Sequence, residues 1–130
     1  MIGARTPVHH VPVATKLTIL RHARKIVATS WTHGGEAADK AGYTTYFDSD
    51  SAVAWCAVGA IKKADANVPD DGTPQWLRLD VICGELLHTV DVGWTEYPGV
   101  RSWNDSFGRT QKQVVAAFDA TIARLDKTEQ

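Results

Sequence analysis

A thiol, a few imidazoles and an Asn-Asp pair are the groups in this chain whose types could carry covalent chemistry. Cys56 lies in Trp55-Cys56-Ala57-Val58-Gly59-Ala60. A cysteine near the start of a buried helix can be activated by the helix dipole and a nearby histidine, with an Asn or Asp orienting that histidine. His33 or His88, together with Asn104 or Asp105, could complete such a set. The spacing also supports a packing role. If Ser49 or Ser51 caps the helix, Cys56 stands five or more positions inside it, beyond the first turn where the dipole acts strongly. Its neighbours Ala52, Gly59 and Ala60 make a stripe of small residues that lets another backbone come close, and buried, inert cysteine is common. Packing is therefore the expected role of Cys56. A cysteine-dependent hydrolase or transferase using Cys56, His88 and Asn104 is the alternative.

Asn104-Asp105 precedes the last helix, where short polar side chains bond to nearby backbone and stop a loop. The pair can organise its loop onto Trp103 or contact a ligand. Trp94, Tyr97 and Trp103 are the aromatic residues of the same region, and tryptophan and tyrosine dominate binding hot spots. These five residues form the candidate surface for a ligand or partner, unless the loop folds back and covers the helices with them. Glu85 and His88 have the Glu-x-x-His spacing of di-metal bundles, but those need a second such pair and two further carboxylates, so no metal is expected. His9-His10 reads as part of a solvated tail. Phosphate-loop, GxGxxG, HExxH and GxSxG patterns do not occur.

The elements that position these residues are mainly helical. Residues 1–14, with Pro7 and Pro12, read as an extended arm, and residues 15–127 as one helical domain. Ile19, Leu20, Ala23, Ile26, Val27 and Trp31 recur at helical spacing in a first helix from Thr15 to about Trp31. Thr32-His33-Gly34-Gly35 ends it. Residues 36–42 read as a loop, and Tyr43–Phe47 as one short β-prone segment. Asp48-Ser49-Asp50-Ser51 offers N-caps for a second, central helix from Ser51 to Asp65. Thr73-Pro74 is a start signal for a third helix to about Val90, which would group Trp76, Leu79, Cys83, Leu86 and Val90. Alternation through Leu77, Leu79, Val81 and Cys83 gives a rival strand reading. No period appears between Asp91 and Arg109, a long aromatic loop. Thr110 and Gln113 match a capping box for a fourth helix whose inner face is Val114, Val115, Phe118, Ile122 and Leu125. On this pattern Trp31, Trp55 and Trp76 belong to the core.

At 130 residues the chain suits one domain able to hold a core without staples. Its 14 basic and 15 acidic residues give a net charge of −1, which supplies no general field for nucleic acid or an anionic membrane. No apolar run approaches the ~20 residues of a membrane span, and the first residues lack the pattern of a secretory signal. Two cysteines without CxxC spacing fit a reduced, cytoplasmic setting.

The segments Trp55-Cys56-Ala57-Val58-Gly59-Ala60 and Trp103-Asn104-Asp105, with Gly108-Arg109-Thr110 and the helix carrying Val114, Phe118 and Ile122, resemble a family of small uncharacterised proteins of actinobacteria, rhizobia and their phages. Its members show a WCxxGA segment in the middle and a WND or LND segment before the last helix. Trp31 and Gly34 fit the same pattern, and the resemblance spans about residues 15–125. The match is poorest from Asp65 to Gly99. Such a family implies no activity, cofactor or catalytic residue; it implies a phage or bacterial accessory context. The expected function is that of a soluble, cofactor-free, non-enzymatic binding protein, acting on a host protein or a small ligand and not on nucleic acid or membrane.

Overall fold

A computed structural model describes residues 11–69, 72–90 and 99–129. Residues 1–10 of the expected extended arm, Trp94 and Tyr97 lie outside these residues, and positions 13 and 14 of that arm are helical instead. The fold is mainly α: five helices and a small three-stranded antiparallel sheet among the described residues. The helices are α1 (Val13–Thr29), α2 (Ala57–Asp65), α3 (Gln75–Val90), α4 (Val100–Asn104) and α5 (Gln111–Glu129). The strands are β1 (Ala37–Asp39), β2 (Thr44–Thr45) and β3 (Ala52–Trp55).

α1 and α5 form the longest helix pair because both present apolar stripes at helical spacing. Leu17, Leu20, Ala23 and Val27 of α1 are buried with Val114, Phe118 and Leu125 of α5. The two run antiparallel, with Arg24 on Asp119 and Arg21 on Asp126 along the exposed side. The capping box opens α5: the Thr110 amide donates to Gln113 Oε1 (3.0 Å) and the Gln113 amide to Thr110 Oγ1 (3.2 Å). Gln111 Nε2 then donates to the Val27 carbonyl at the far end of α1 (2.8 Å), satisfying an orphan acceptor there.

α3 spans its expected range and is a helix, not a strand, but its inner face is Leu77, Arg78, Ile82 and Leu86, and Trp76 is exposed. A buried ion pair fixes this rotation. Arg78 Nε donates to Asp65 Oδ1 (2.7 Å) and Nη2 to Oδ2 (3.2 Å), with both residues buried, so α3 is clamped to the end of α2. Further along α3, Glu85 takes Lys16 of α1 on one oxygen (2.7 Å) and Arg124 of α5 on the other (3.0 Å). Burial pushes this carboxyl up, but the bonds from Lys16 and Arg124 outweigh it and hold it below the ordinary carboxylate range. Glu85 is thus consumed in joining three helices. Among the described residues no group of three or more His, Cys, Asp or Glu side chains could hold a metal.

Three expectations about the middle of the chain are corrected. Residues 52–55 form β3, and α2 begins only at Ala57. The polar run before β3 caps no helix, because its hydrogen bonds are spent locally: Ser49 donates to the Tyr46 carbonyl, Ala52 to the Ser49 carbonyl, and the Ser49 and Ser51 hydroxyls bond each other. The segment 36–42 contains β1, the middle strand of the order β2-β1-β3. Asp39 Oδ1 accepts the amides of Ala41 and Tyr43 (2.9 Å each), and Gly42 takes φ +92°, closing the β1–β2 hairpin. The stretch before α5 is not wholly irregular, since α4 occupies part of it. No helix among the described residues is long and apolar enough to cross a membrane.

Candidate functional site

The residues of the two signature segments meet at one buried side chain. Asn104, the last residue of α4, is 0% exposed and uses its amide on four partners. Its Oδ1 accepts the indole N–H of Trp31 (2.8 Å) and the backbone N–H of Ala57 (3.0 Å). Its Nδ2 donates to the Thr32 carbonyl (3.2 Å) and to Asp105 Oδ1 (3.0 Å). Asp105 Oδ1 also accepts the Gly34 amide (3.0 Å), so the chain after α1 is tied down at two points. Ala57 is the first residue of α2, where backbone N–H groups lack intrahelical partners; Asn104 satisfies one of them from a distance.

Cys56 is the N-cap of α2, not an interior position as expected. The late start of the helix puts it there. Its Sγ accepts the Gly59 amide (3.4 Å), its carbonyl accepts the Ala60 amide (2.8 Å), and its own amide donates to the Glu36 carbonyl (3.1 Å). Cys56 is 0% exposed. Burial raises the thiol pKa above its ordinary value, and the amides of Gly59 and Val58 and the charge of Arg101 only partly offset it. Cys83 on α3 is pushed up to about 12 by burial and by Asp80 and Cys56. Neither His33, exposed and ring-to-ring with Trp31 at 5.6 Å, nor His88, exposed on α3, hydrogen-bonds the Cys56 thiol. An activated thiol needs such a base.

The stripe of small residues does admit a close neighbour. A Cβ on Gly59 would lie 1.9 Å from the carbonyl oxygen of Glu36, so the link into β1 rests directly on the helix at the one position without a side chain. This contact delivers Glu36 to the surface beside Lys62 of α2 and Arg101 of α4. Lys62 Nζ is 2.6 Å from Glu36 Oε2, and Arg101 Nη2 is 3.6 Å from the same oxygen. Glu36 Oε1 accepts the Phe47 amide (3.2 Å). Burial pushes the Glu36 carboxyl up, but the bonds from Lys62 and Phe47 and the charges of Lys62 and Arg101 leave it lowered overall.

These residues line an open cleft of about 770 Å³ formed by Gly34, Gly35, Glu36, Thr44–Phe47, Lys62 and Arg101. Tyr46, which lines the cleft, is 77% exposed. Trp55 of β3 donates its indole N–H to the carbonyl of Phe47 (2.9 Å) and lies under Lys63 (5.0 Å).

Of the residues expected to face a partner, Trp103 and Asn104 are buried and Asp105 is exposed. Trp103 packs in the core, with the Arg109 guanidinium 4.4 Å from its ring centroid. Glu36, Tyr46, Lys62 and Arg101 carried no sequence signal of a site, because they come from four separate segments with no common spacing. Tyr43 and Tyr46 within a threonine-rich run were the nearest to one.

No curated protein and no solved structure matches the chain. A model of a family of unknown function, DUF6197, matches residues 11–124, a span that includes every residue of the Asn104 junction and of the cleft, and the chain belongs to that family.

Proposed function

We propose that this chain is a non-enzymatic binding protein whose ligand site is the cleft beside the Asn104 junction. The observation that carries the reading is the cleft itself. It is within the ~300–1,000 Å³ range of small-molecule sites and combines exposed aromatic surface with a few charged groups. A host protein and a small ligand are the two targets expected of such a binding protein; the size of the cleft favours the small ligand. The reading based on Cys56 chemistry is weaker, because the thiol is buried, raised in pKa and bonded to a helix amide.

The test is a set of chemically diverse fragments titrated into ¹⁵N-labelled protein. Hits should shift amides clustered at Gly34, Gly35 and residues 44–47, and the shifts should vanish in Tyr46→Ala combined with Arg101→Gln. Shifts gathered elsewhere, or no binding by any fragment, would remove the cleft as the site.

A further inference from the structure

We infer that the cleft takes a small aromatic monocarboxylate, its carboxylate held by Arg101 and its ring placed against Tyr46 and Phe47. This rests on the cleft being the binding site. Glu36 is already saturated: Lys62 neutralises it at 2.6 Å and the Phe47 amide fills its other oxygen. Arg101 is the cation left over. Its single Nη2 contact to Glu36, at 3.6 Å, is too long for a hydrogen bond, and no other carboxylate among the described residues ion-pairs with it. Its side chain is 54% exposed, and among the described residues its guanidinium makes no hydrogen bond.

A guanidinium fork matches a carboxylate through two parallel N–H···O bonds. The net charge of Glu36, Lys62 and Arg101 together is one positive, which balances a monoanion. The Glu36 carboxylate beside Arg101 disfavours a phosphate monoester, whose charge is about −1.5 to −2 at neutral pH. The other half of the ligand follows from the aromatics. Tyr46 is exposed and Phe47 half-buried, and both line the cleft, giving apolar faces for a planar ring at low conformational cost. A free aryl acid and a peptide ending in an aromatic residue share this chemistry.

The probes are 2-naphthoate, its neutral isostere 2-naphthamide, 1-naphthyl phosphate, and an acetylated Gly-Gly-Phe peptide with a free carboxylate. Each is titrated into the full chain and followed by amide shifts and calorimetry. 2-Naphthoate is expected to shift Gly35, Thr45, Tyr46 and Phe47 and to bind at least about tenfold more tightly than 2-naphthamide, the ratio expected for losing a charge-assisted hydrogen bond. Arg101→Gln should weaken 2-naphthoate by a similar factor and leave 2-naphthamide unchanged, while Tyr46→Ala should weaken both. Both side chains are exposed, so neither substitution threatens the fold. Peptide binding as tight as that of the free acid would make a chain end the source, and exclusion of the peptide would make it a free acid; either supports the inference. Equal binding of acid and amide, an unchanged affinity in Arg101→Gln, or tighter binding of the phosphate would overturn it. If the naphthyl compounds fail but other fragments still bind at residues 44–47, the inference falls and the cleft reading stands.

Discussion

Asn104→Ala is expected to lower the unfolding free energy by about 3–5 kcal/mol, since each buried group left unsatisfied costs about 1–3 kcal/mol. The substitution strands the Trp31 indole N–H, the Ala57 amide and the Thr32 carbonyl in one place. Asn104 itself is fully buried; its bond to the Ala57 amide is buried as well, and those to Trp31 and Thr32 are partly buried. Asp105→Ala loses bonds at an exposed position and should cost only about 1 kcal/mol. Asn104→Asp is the informative control. It keeps the acceptor used by Trp31 and Ala57 but sets a second carboxylate oxygen against Asp105 and the Thr32 carbonyl, so it should also destabilise. Urea denaturation measures all three. Asn104→Ala unfolding at the same urea concentration as the parent would show that the junction does not hold the fold.

Gly59→Ala should destabilise by about 2–4 kcal/mol, although alanine is intrinsically the better helix former by about 1 kcal/mol. The new Cβ would meet the Glu36 carbonyl oxygen at 1.9 Å and its carbonyl carbon at 2.9 Å, and both are backbone atoms with no rotamer to escape into. Relief requires α2 and the link into β1 to part. Overpacking of this kind costs about 1–3 kcal/mol, and the parting also breaks the Cys56–Glu36 hydrogen bond. Gly84→Ala is the matched control on α3. A Cβ there meets nothing within 4 Å, so the same substitution should raise stability by up to about 1 kcal/mol. Thermal melts of the two variants should therefore move in opposite directions. A Gly59→Ala protein that melts like Gly84→Ala would show that the Glu36 backbone does not restrict this position.

What could be read from the sequence follows how local the determining interactions are. The capping box at Thr110 and Gln113, the apolar stripes of α1 and α5, and the Thr73-Pro74 start of α3 are local signals, and each predicts its element within two or three residues. The stripe around Gly59 was legible as a place for close approach, though not that the backbone of Glu36 fills it. The strands were hidden. Residues 52–60 form one continuous apolar run, which carries no period to mark the change from strand to helix at Cys56. β1 begins with two alanines, poor strand formers that owe their pairing to the Asp39–Gly42 turn and to neighbours on both sides. Trp76 was placed in the core because helical spacing cannot anticipate a buried Arg78–Asp65 pair, which turns the tryptophan outward. The cleft is the least legible part, being built from Glu36, Tyr46, Lys62 and Arg101 with no shared motif.

The claim on which the functional reading turns is that Trp55–Ala60 is framework and that its cysteine does no chemistry. Cys56 caps α2 from a fully buried position, with its thiol accepting a helix amide and its pKa raised by burial. Iodoacetamide labelling of the native protein against pH, in a Cys83→Ala background, measures this directly. The thiol should react slowly across the whole range until denaturant unfolds the chain, and only then at the rate of an ordinary cysteine. Fast labelling of the folded protein, with a midpoint well below the usual thiol value of about 8.5, would contradict the account and make Cys56 a nucleophile.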